Sequence, residues 1–348
     1  MKLPFNNISE AISGKLNKNV EIISAKKLPG GHEGDSFVLF SRAGEKFFVK
    51  RVKARKHHGM RPERNMYWHL ISDSMMNRSF ASSDGFGVLI KNRNGFTLLD
   101  SFRHDLEIYH IQGFEELSEH SFEDLMNQRK DKKEFTNEDR IEAREVAELL
   151  GSIHKTPLKN LDKESRDKLY NESLRLIFTA QDMFFLFLHS FDDKHPIFPI
   201  SMHGKYTAHL IELFQSFKDK GSRLRVLHGD FWGTNIYRKG DGTWYAIDYS
   251  RIPFGEPAID TAFFANQLLW HYHNTGNSYF KKFGEEFLSH YAKISKDKNI
   301  KKFMALPIGL LGIISISPIL YPDRIGAKSQ KFFKVIKKII KKGEFVWD

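Results

Sequence analysis

The sequence predicts an α+β protein of two lobes, a small β-rich one over residues 1–101 and a larger, mainly helical one over residues 102–348. Two observations predict this. Residues 20 to 100 break into short apolar runs separated by glycine-containing turns, the pattern of strands and hairpins. From about residue 103 the chain turns polar and its apolar residues take helical spacing.

The first lobe reads in order. Val20–Ile23 is expected as a strand, followed by a glycine-rich turn from Leu28 to Ser36. Phe37–Phe40 and Lys46–Lys50 flank Ala43-Gly44 as a hairpin. A helix is expected from about Arg61 to Ile71, with Pro62 in its first turn. Phe86–Ile90 and Phe96–Asp100 form a second strand pair around Asn94-Gly95.

In the second lobe, residues 104 to 137 carry alternating charges and are expected as an exposed insertion. Thr136-Asn137-Glu138-Asp139 reads as a helix start, followed by Ile141, Ala147, Leu149, Leu150 and Ile153 at helical spacing. Another helix is expected over 166 to 190, and more after Asp260. Met304 to Tyr321 is the most apolar run, but Pro307, Pro318 and interrupting serines and glycines favour a buried helix over a membrane span. Between Lys331 and Lys342, six lysines alternate with Phe332, Phe333, Val335, Ile336, Ile339 and Ile340. That pattern fits a last helix with a solvated basic face. It also fits peripheral contact with an anionic membrane through 328–342.

Composition sets outer bounds. A 348-residue chain with 41% hydrophobic residues and 31 Phe has ample material for a core. The absence of cysteine excludes disulfides, thiolate metal sites and cysteine nucleophiles. Met1–Phe5 leads into polar sequence without the apolar stretch of a signal peptide, so a cytoplasmic location is the default expectation. The net charge of +11 comes from scattered basic residues with no nucleic-acid-binding motif, so nucleic acid is not expected as a partner. The same charge disfavours a polycationic substrate. Nothing in the sequence sets an oligomeric state.

The chemistry concentrates in Val226-Leu227-His228-Gly229-Asp230-Phe231-Trp232-Gly233-Thr234-Asn235 and in Trp244-Tyr245-Ala246-Ile247-Asp248. Asp230 and Asn235 lie five residues apart across a loop containing glycine, and Asn235 and Asp248 thirteen apart across an expected hairpin. Phosphoryl transfer needs such a set: a carboxylate near the attacking hydroxyl and two oxygen ligands for Mg²⁺ beside nucleotide phosphates. Two carboxylates about 5 Å apart repel by roughly 3 kcal/mol at an effective dielectric near 20, and a divalent cation between them reverses the sign. Asn235 adds a carbonyl oxygen without a third negative charge. Any one of these residues alone reads as an ordinary turn former; the conjunction does not.

Upstream, the turn holding Gly30, Gly31, Gly34 and Ser36 can offer backbone N–H groups to phosphate oxygens. Lys50 on the next strand can reach the α and β phosphates, with Glu63 on the following helix holding it by an ion pair. The histidine pairs His57-His58 and His271/His273 lack carboxylate or thiolate partners at motif spacing and are expected as surface residues. Trp270, Tyr272 and Tyr321 are available to stack on a ring or sugar, although core packing is their ordinary role.

The ordered set resembles the aminoglycoside phosphotransferase and choline kinase family, small-molecule kinases of the protein-kinase-like fold. The resemblance rests on His228-Gly229-Asp230, Asn235, Asp248 and Gly255-Glu256-Pro257-Ala258-Ile259-Asp260; it is good over 220 to 265, moderate over 20 to 100 and thin elsewhere. It implies ATP and Mg²⁺ as cofactors, Asp230 as catalytic base or hydroxyl-orienting residue, and Asn235 and Asp248 as metal ligands. It further implies that His228 and Asp260 support the catalytic loop, and that Leu99 and Ser101 lie near the adenine. Asp248-Tyr249-Ser250 departs from the Asp-Phe-Gly of protein kinases, so a flipping switch of that kind is not implied. The expected activity is transfer of the γ-phosphate of ATP to a hydroxyl of a small molecule: a sugar, amino alcohol, metabolite or antibiotic. The alternatives are a membrane-surface kinase acting on a lipid or lipid-linked saccharide, a non-catalytic nucleotide-binding regulator, and a protein kinase.

Overall fold

In Lys46–Val52 (β3) Phe47 and Val49 are buried while Lys46, Phe48 and Lys50 point to the other face, the period-two alternation that makes a half-buried strand. The computed structural model describes residues 3–28, 34–52, 85–92, 95–98, 107–158, 161–179, 188, 190–249 and 253–348. It divides into two units, Met1–Glu116 and Leu117–Asp348.

The first unit has a helix, Phe5–Leu16 (α1), and a six-stranded sheet. The other strands are Ile22–Lys27 (β1), Gly34–Ser41 (β2), Gly85–Asn92 (β4), Gly95–Leu98 (β5) and Glu107–Gly113 (β6), in the order β1-β2-β3-β6-β4-β5 with every pair antiparallel. Ile8, Ala11 and Ile12 of α1 share a core with Val20, Ile22, Leu39, Phe47 and Val49. Ser9 and Ser13 fix the helix by accepting the backbone N–H groups of Ile22 (2.9 Å) and Val20 (2.8 Å). The expected hairpin turns at Gly44, whose φ of +83° suits glycine. The helix expected at Arg61–Ile71 lies outside the described residues.

The exposed insertion expected over 104–137 is corrected. Its described part contributes β6, a central strand between β3 and β4; a short strand, Leu117–Ser121 (β7); and a helix, Phe122–Gln128 (α2), whose Phe122 and Met126 are fully buried. The division therefore falls at 116/117 rather than 101/102. In Glu107-Ile108-Tyr109-His110-Ile111-Gln112-Gly113 the polar and apolar residues keep no strict period of two, so the segment reads as a charged loop as readily as a strand.

The second unit is mainly helical. Asn137–His154 (α3) starts at a reciprocal capping box: the Thr136 hydroxyl accepts from the Asp139 N–H and Asp139 accepts from the Thr136 N–H. Then come Lys163–Thr179 (α4), His203–Phe217 (α5), Ala258–Thr275 (α6), Ser278–Ser295 (α7), Ile300–Phe303 (α8), Ala305–Ser315 (α9) and Ala327–Lys342 (α10). α7 packs between α3 and α6, and α9 and α10 pack on each other and on α6. Phe264 joins the layers, its ring centroid 4.4 Å from Phe287 and 5.0 Å from Phe122.

The apolar run from Met304 becomes the buried helix α9, and among the described residues no helix is long and apolar enough to cross a membrane. In α10 the apolar face, Phe332, Phe333, Val335, Ile336, Ile339 and Ile340, is buried against α5, α6 and α9, with Lys331, Lys334 and Lys341 outward. That face is already covered, so it does not supply the membrane-inserting surface considered for 328–342.

Candidate active site

Four short strands frame the loop between α5 and α6. Arg225–Val226 (β8) pairs with Phe254–Gly255 (β11), and Ile236–Lys239 (β9) with Trp244–Ala246 (β10), which is the expected hairpin between Asn235 and Asp248. β7 adds to the β9 edge. Trp244, Tyr245 and Ala246 are all buried, which anchors the segment that carries Asp248.

Asp260, in the first turn of α6 and without solvent exposure, holds the loop from behind. Its two oxygens accept the N–H groups of His228 (2.7 Å) and Gly229 (2.8 Å), and His154 Nε2 adds a third contact at 3.0 Å. With Nε2 turned to Asp260, His154 Nδ1 is left to accept from the Tyr291 hydroxyl at 2.6 Å. Gly229 takes φ +81°, a conformation open to glycine that lets two successive N–H groups face one carboxylate.

His228 binds the loop to the hairpin. Its Nε2–H donates to the Ile247 carbonyl (2.8 Å), and its Nδ1 accepts the Asp230 N–H (3.2 Å), which fixes one tautomer. Burial lowers its pKa below the ordinary 6.5, against the opposing pull of Asp260, so the ring is neutral at pH 7. Phe231, wholly buried against His228 and Phe264, seats the next residue in the core.

These bonds bring five of the sequence-predicted residues into one place. Asn235 Nδ2 donates to the Asp230 carbonyl (2.9 Å) and to its Oδ2 (3.3 Å), while the Asn235 carbonyl accepts the Ile247 N–H (2.9 Å). Asp248 sits between Ile247 and Tyr249, both in contact with His228, the Tyr249 ring at 4.2 Å between centroids. Its φ of +64° is left-handed, which costs a non-glycine residue about 1 kcal/mol and is best tolerated by Asn and Asp. The Asn235 amide nitrogen is engaged at Asp230, so its side-chain oxygen is the atom left for a cation. An oxygen-only pair, Asn235 and Asp248, suits Mg²⁺ rather than a softer metal. Among the described residues no three His, Cys, Asp or Glu side chains gather as a metal site.

The nucleotide-side residues are placed only in part. Gly30, Gly31, Glu63, Leu99 and Ser101 lie outside the described residues. Gly34 and Ser36 belong to β2 rather than to a turn. In register, Ser36 lies directly opposite Lys50, and His110 of β6 opposite Lys50 on the other side, so Lys50 is a central-strand residue and not an edge charge.

Several contributors carry no sequence signal. Arg223 forms paired bonds with Glu256 (2.7 and 2.6 Å) and with Asp297 (3.1 and 2.7 Å), and Glu256 also takes the Tyr170 hydroxyl (2.7 Å). Burial opposes the Arg223 charge, but these carboxylates overcome it and raise its pKa. His271 is not a surface residue, and His273 is half-buried. His271 is buried against Glu123 (3.2 Å) and His273 bonds to the Trp347 carbonyl (2.9 Å); His57 and His58 lie outside the described residues. Trp232 stands on Phe263 at 4.9 Å, and Gln267, one turn along α6, accepts the Gly233 N–H (2.8 Å). Further along α6, Arg324 is clasped between Trp270 (3.9 Å) and Tyr321 (3.7 Å).

Comparison with known proteins finds no matching family model and no similar curated protein. Solved structures do match. A thermostable variant of the aminoglycoside phosphotransferase APH(4)-Ia, solved with ADP and hygromycin B, is 12% identical, with 98% of this chain and all of that one covered and a TM-score of 0.54. An ethanolamine kinase of Plasmodium vivax is 14% identical, covering 93% of this chain and 85% of that one at 0.53. The amicoumacin kinase hAmiN, solved with AMP-PNP and Ca²⁺, is 12% identical, covering 93% and 90% at 0.50. The chain therefore has the two-lobed α+β fold of these aminoglycoside phosphotransferase and ethanolamine kinase structures.

Proposed function

We propose that the protein is an ATP-dependent phosphotransferase that moves the γ-phosphoryl group to a hydroxyl of a small molecule. The observation that carries this reading is the knitting of Asp230, Asn235 and Asp248 into one site through His228, Ile247 and Asp260. Two of the similar structures hold ADP or AMP-PNP, and one of these holds Ca²⁺ as well, which supports a nucleotide and a divalent cation here.

In this reading Asp230 orients the acceptor hydroxyl and takes its proton. Asn235 and Asp248 hold Mg²⁺, which when bound neutralises charge on the phosphates. Lys50, steadied by Glu63, serves the α and β phosphates. Gly30, Gly31, Gly34 and Ser36 line their approach, and Leu99 and Ser101 flank the adenine. Most of the rate comes from positioning and from fixed charge. The acceptor is a sugar, amino alcohol, metabolite or antibiotic. The net charge of +11 favours neutral or anionic acceptors over polycations.

The test is incubation with Mg²⁺, ATP and fractionated metabolites, followed by mass spectrometry for a species gaining one phosphate. Asp248→Ala should abolish turnover and metal-dependent nucleotide binding. Asp230→Ala should spare nucleotide binding and lower kcat by about 10²- to 10⁴-fold. An unchanged kcat in Asp230→Ala removes the assignment.

A further inference from the structure

A cavity of about 630 Å³ opens behind the catalytic loop, between the ends of α3 and α7, the start of α4 and strand β8. Five cations line it: Arg223, which is held by Glu256 and Asp297, and four more, Lys155, Arg166, Arg225 and Lys296. None of the four has a carboxylate within ion-pair distance among the described residues, while the two acidic groups on this side, Asp297 and Glu256, are both taken by Arg223.

Helix ends explain part of this charge and not all of it. Lys155 and Lys296 cap the C-termini of α3 and α7, where the helix dipole favours a cation, and Arg225 donates to the carbonyls of Ser222 and Leu224. Arg166 sits in the first turn of α4, where the dipole disfavours a cation. Four like charges facing one hollow repel each other, and an anion within it reverses that term. The volume suits a small ligand. Two guanidinium groups supply the planar forks that pair with phosphate oxygens, and two ammonium groups add point charge.

We propose that this cavity is a second ligand site, separate from Asp230, that takes a small polyanion bearing phosphate groups. His154 lines the same cavity and reaches Asp260 at 3.0 Å, so the ligand lies one side chain away from the brace of the catalytic loop. No step of the proposed phosphoryl transfer uses the cavity, so its fate and that of the kinase reading are decided separately.

The test is lysine acylation of the full-length protein with an N-hydroxysuccinimide ester, read by peptide mass spectrometry, with pyrophosphate as the probe. Pyrophosphate should slow acylation of Lys155 and Lys296 about fivefold or more, because only the neutral amine attacks the ester and a bound anion favours the charged ammonium. Lys334 and Lys341 on the exposed face of α10 should be unaffected. The double variant Arg166→Gln/Arg225→Gln should lose the protection while keeping the parent's thermal melt; both side chains reach solvent and neither pairs with an acid. Citrate, of similar charge, should protect more weakly. Absence of protection at Lys155 and Lys296, equal slowing at Lys334 and Lys341, protection that persists in a folded double variant, or citrate protecting as well as pyrophosphate would each overturn the proposal.

Discussion

Asp260 is the residue on which the loop depends most heavily. Its carboxylate is fully buried and meets three donors, so Asp260→Asn replaces one acceptor oxygen by an NH₂ group facing an N–H. The expected loss is about 2–4 kcal/mol of stability, read by urea denaturation, because a buried donor is left unpaired. His228 makes a pH prediction. Burial holds its native pKa below 6.5, and burial acts in the same direction on His195 and His273. Above pH 6.5 neither the native nor the unfolded ring is charged. As pH falls below 6.5 the unfolded chain takes protons that the native state refuses, so stability declines until the native pKa is reached. Denaturant midpoints from pH 7 to 5 should fall, and His228→Gln should flatten the slope. That Asp230, Asn235 and Asp248 come together was legible because a short loop and one hairpin join them in sequence. His154 was not, because its partners Asp260 and Tyr291 lie 106 and 137 residues away and nothing local marks a lone histidine.

Among the elements, the strands around Gly44 and the capped start of α3 were readable because turn and cap chemistry is local. β6 was missed because a strand placed between partners distant in sequence owes its place to pairing, here with β3 and β4, rather than to its own composition. α10 illustrates the opposite risk. Its lysine-rich amphipathic pattern suits a membrane surface and a packed helix equally, and only the fold reveals that α5, α6 and α9 cover the apolar face. The α9–α10 contact is close enough to test. A Cβ added at Gly312 would stand 2.5 Å from Ile336 Cγ2. Gly312→Ala gains up to about 1 kcal/mol of helix propensity but should lose about 1–3 kcal/mol to overpacking, so the net effect is destabilising. In Gly312→Ala/Ile336→Ala the two losses should sum to less than the parts, and strict additivity in thermal melts would show that the helices do not meet there.

At the scale of the whole molecule, the place where the chain divides is itself a physical claim. A sequence reading that ends the first lobe at residue 101 hands β6 to the helical part, whereas the structure pairs β6 on both edges within the first unit. The two divisions predict different behaviour for fragments. A fragment spanning 117–348 keeps β7 paired with β9, the capped α3 and the aromatic core around Phe264, so it should be soluble and unfold cooperatively in a circular-dichroism melt. A fragment spanning 102–348 also carries Glu107–Gly113 without β3 and β4, leaving two unpaired strand edges that invite association between chains. It should aggregate at concentrations where 117–348 stays monomeric by analytical ultracentrifugation. If the longer fragment is the better behaved of the two, β6 is held by the helical unit, and the division at 116/117 is wrong.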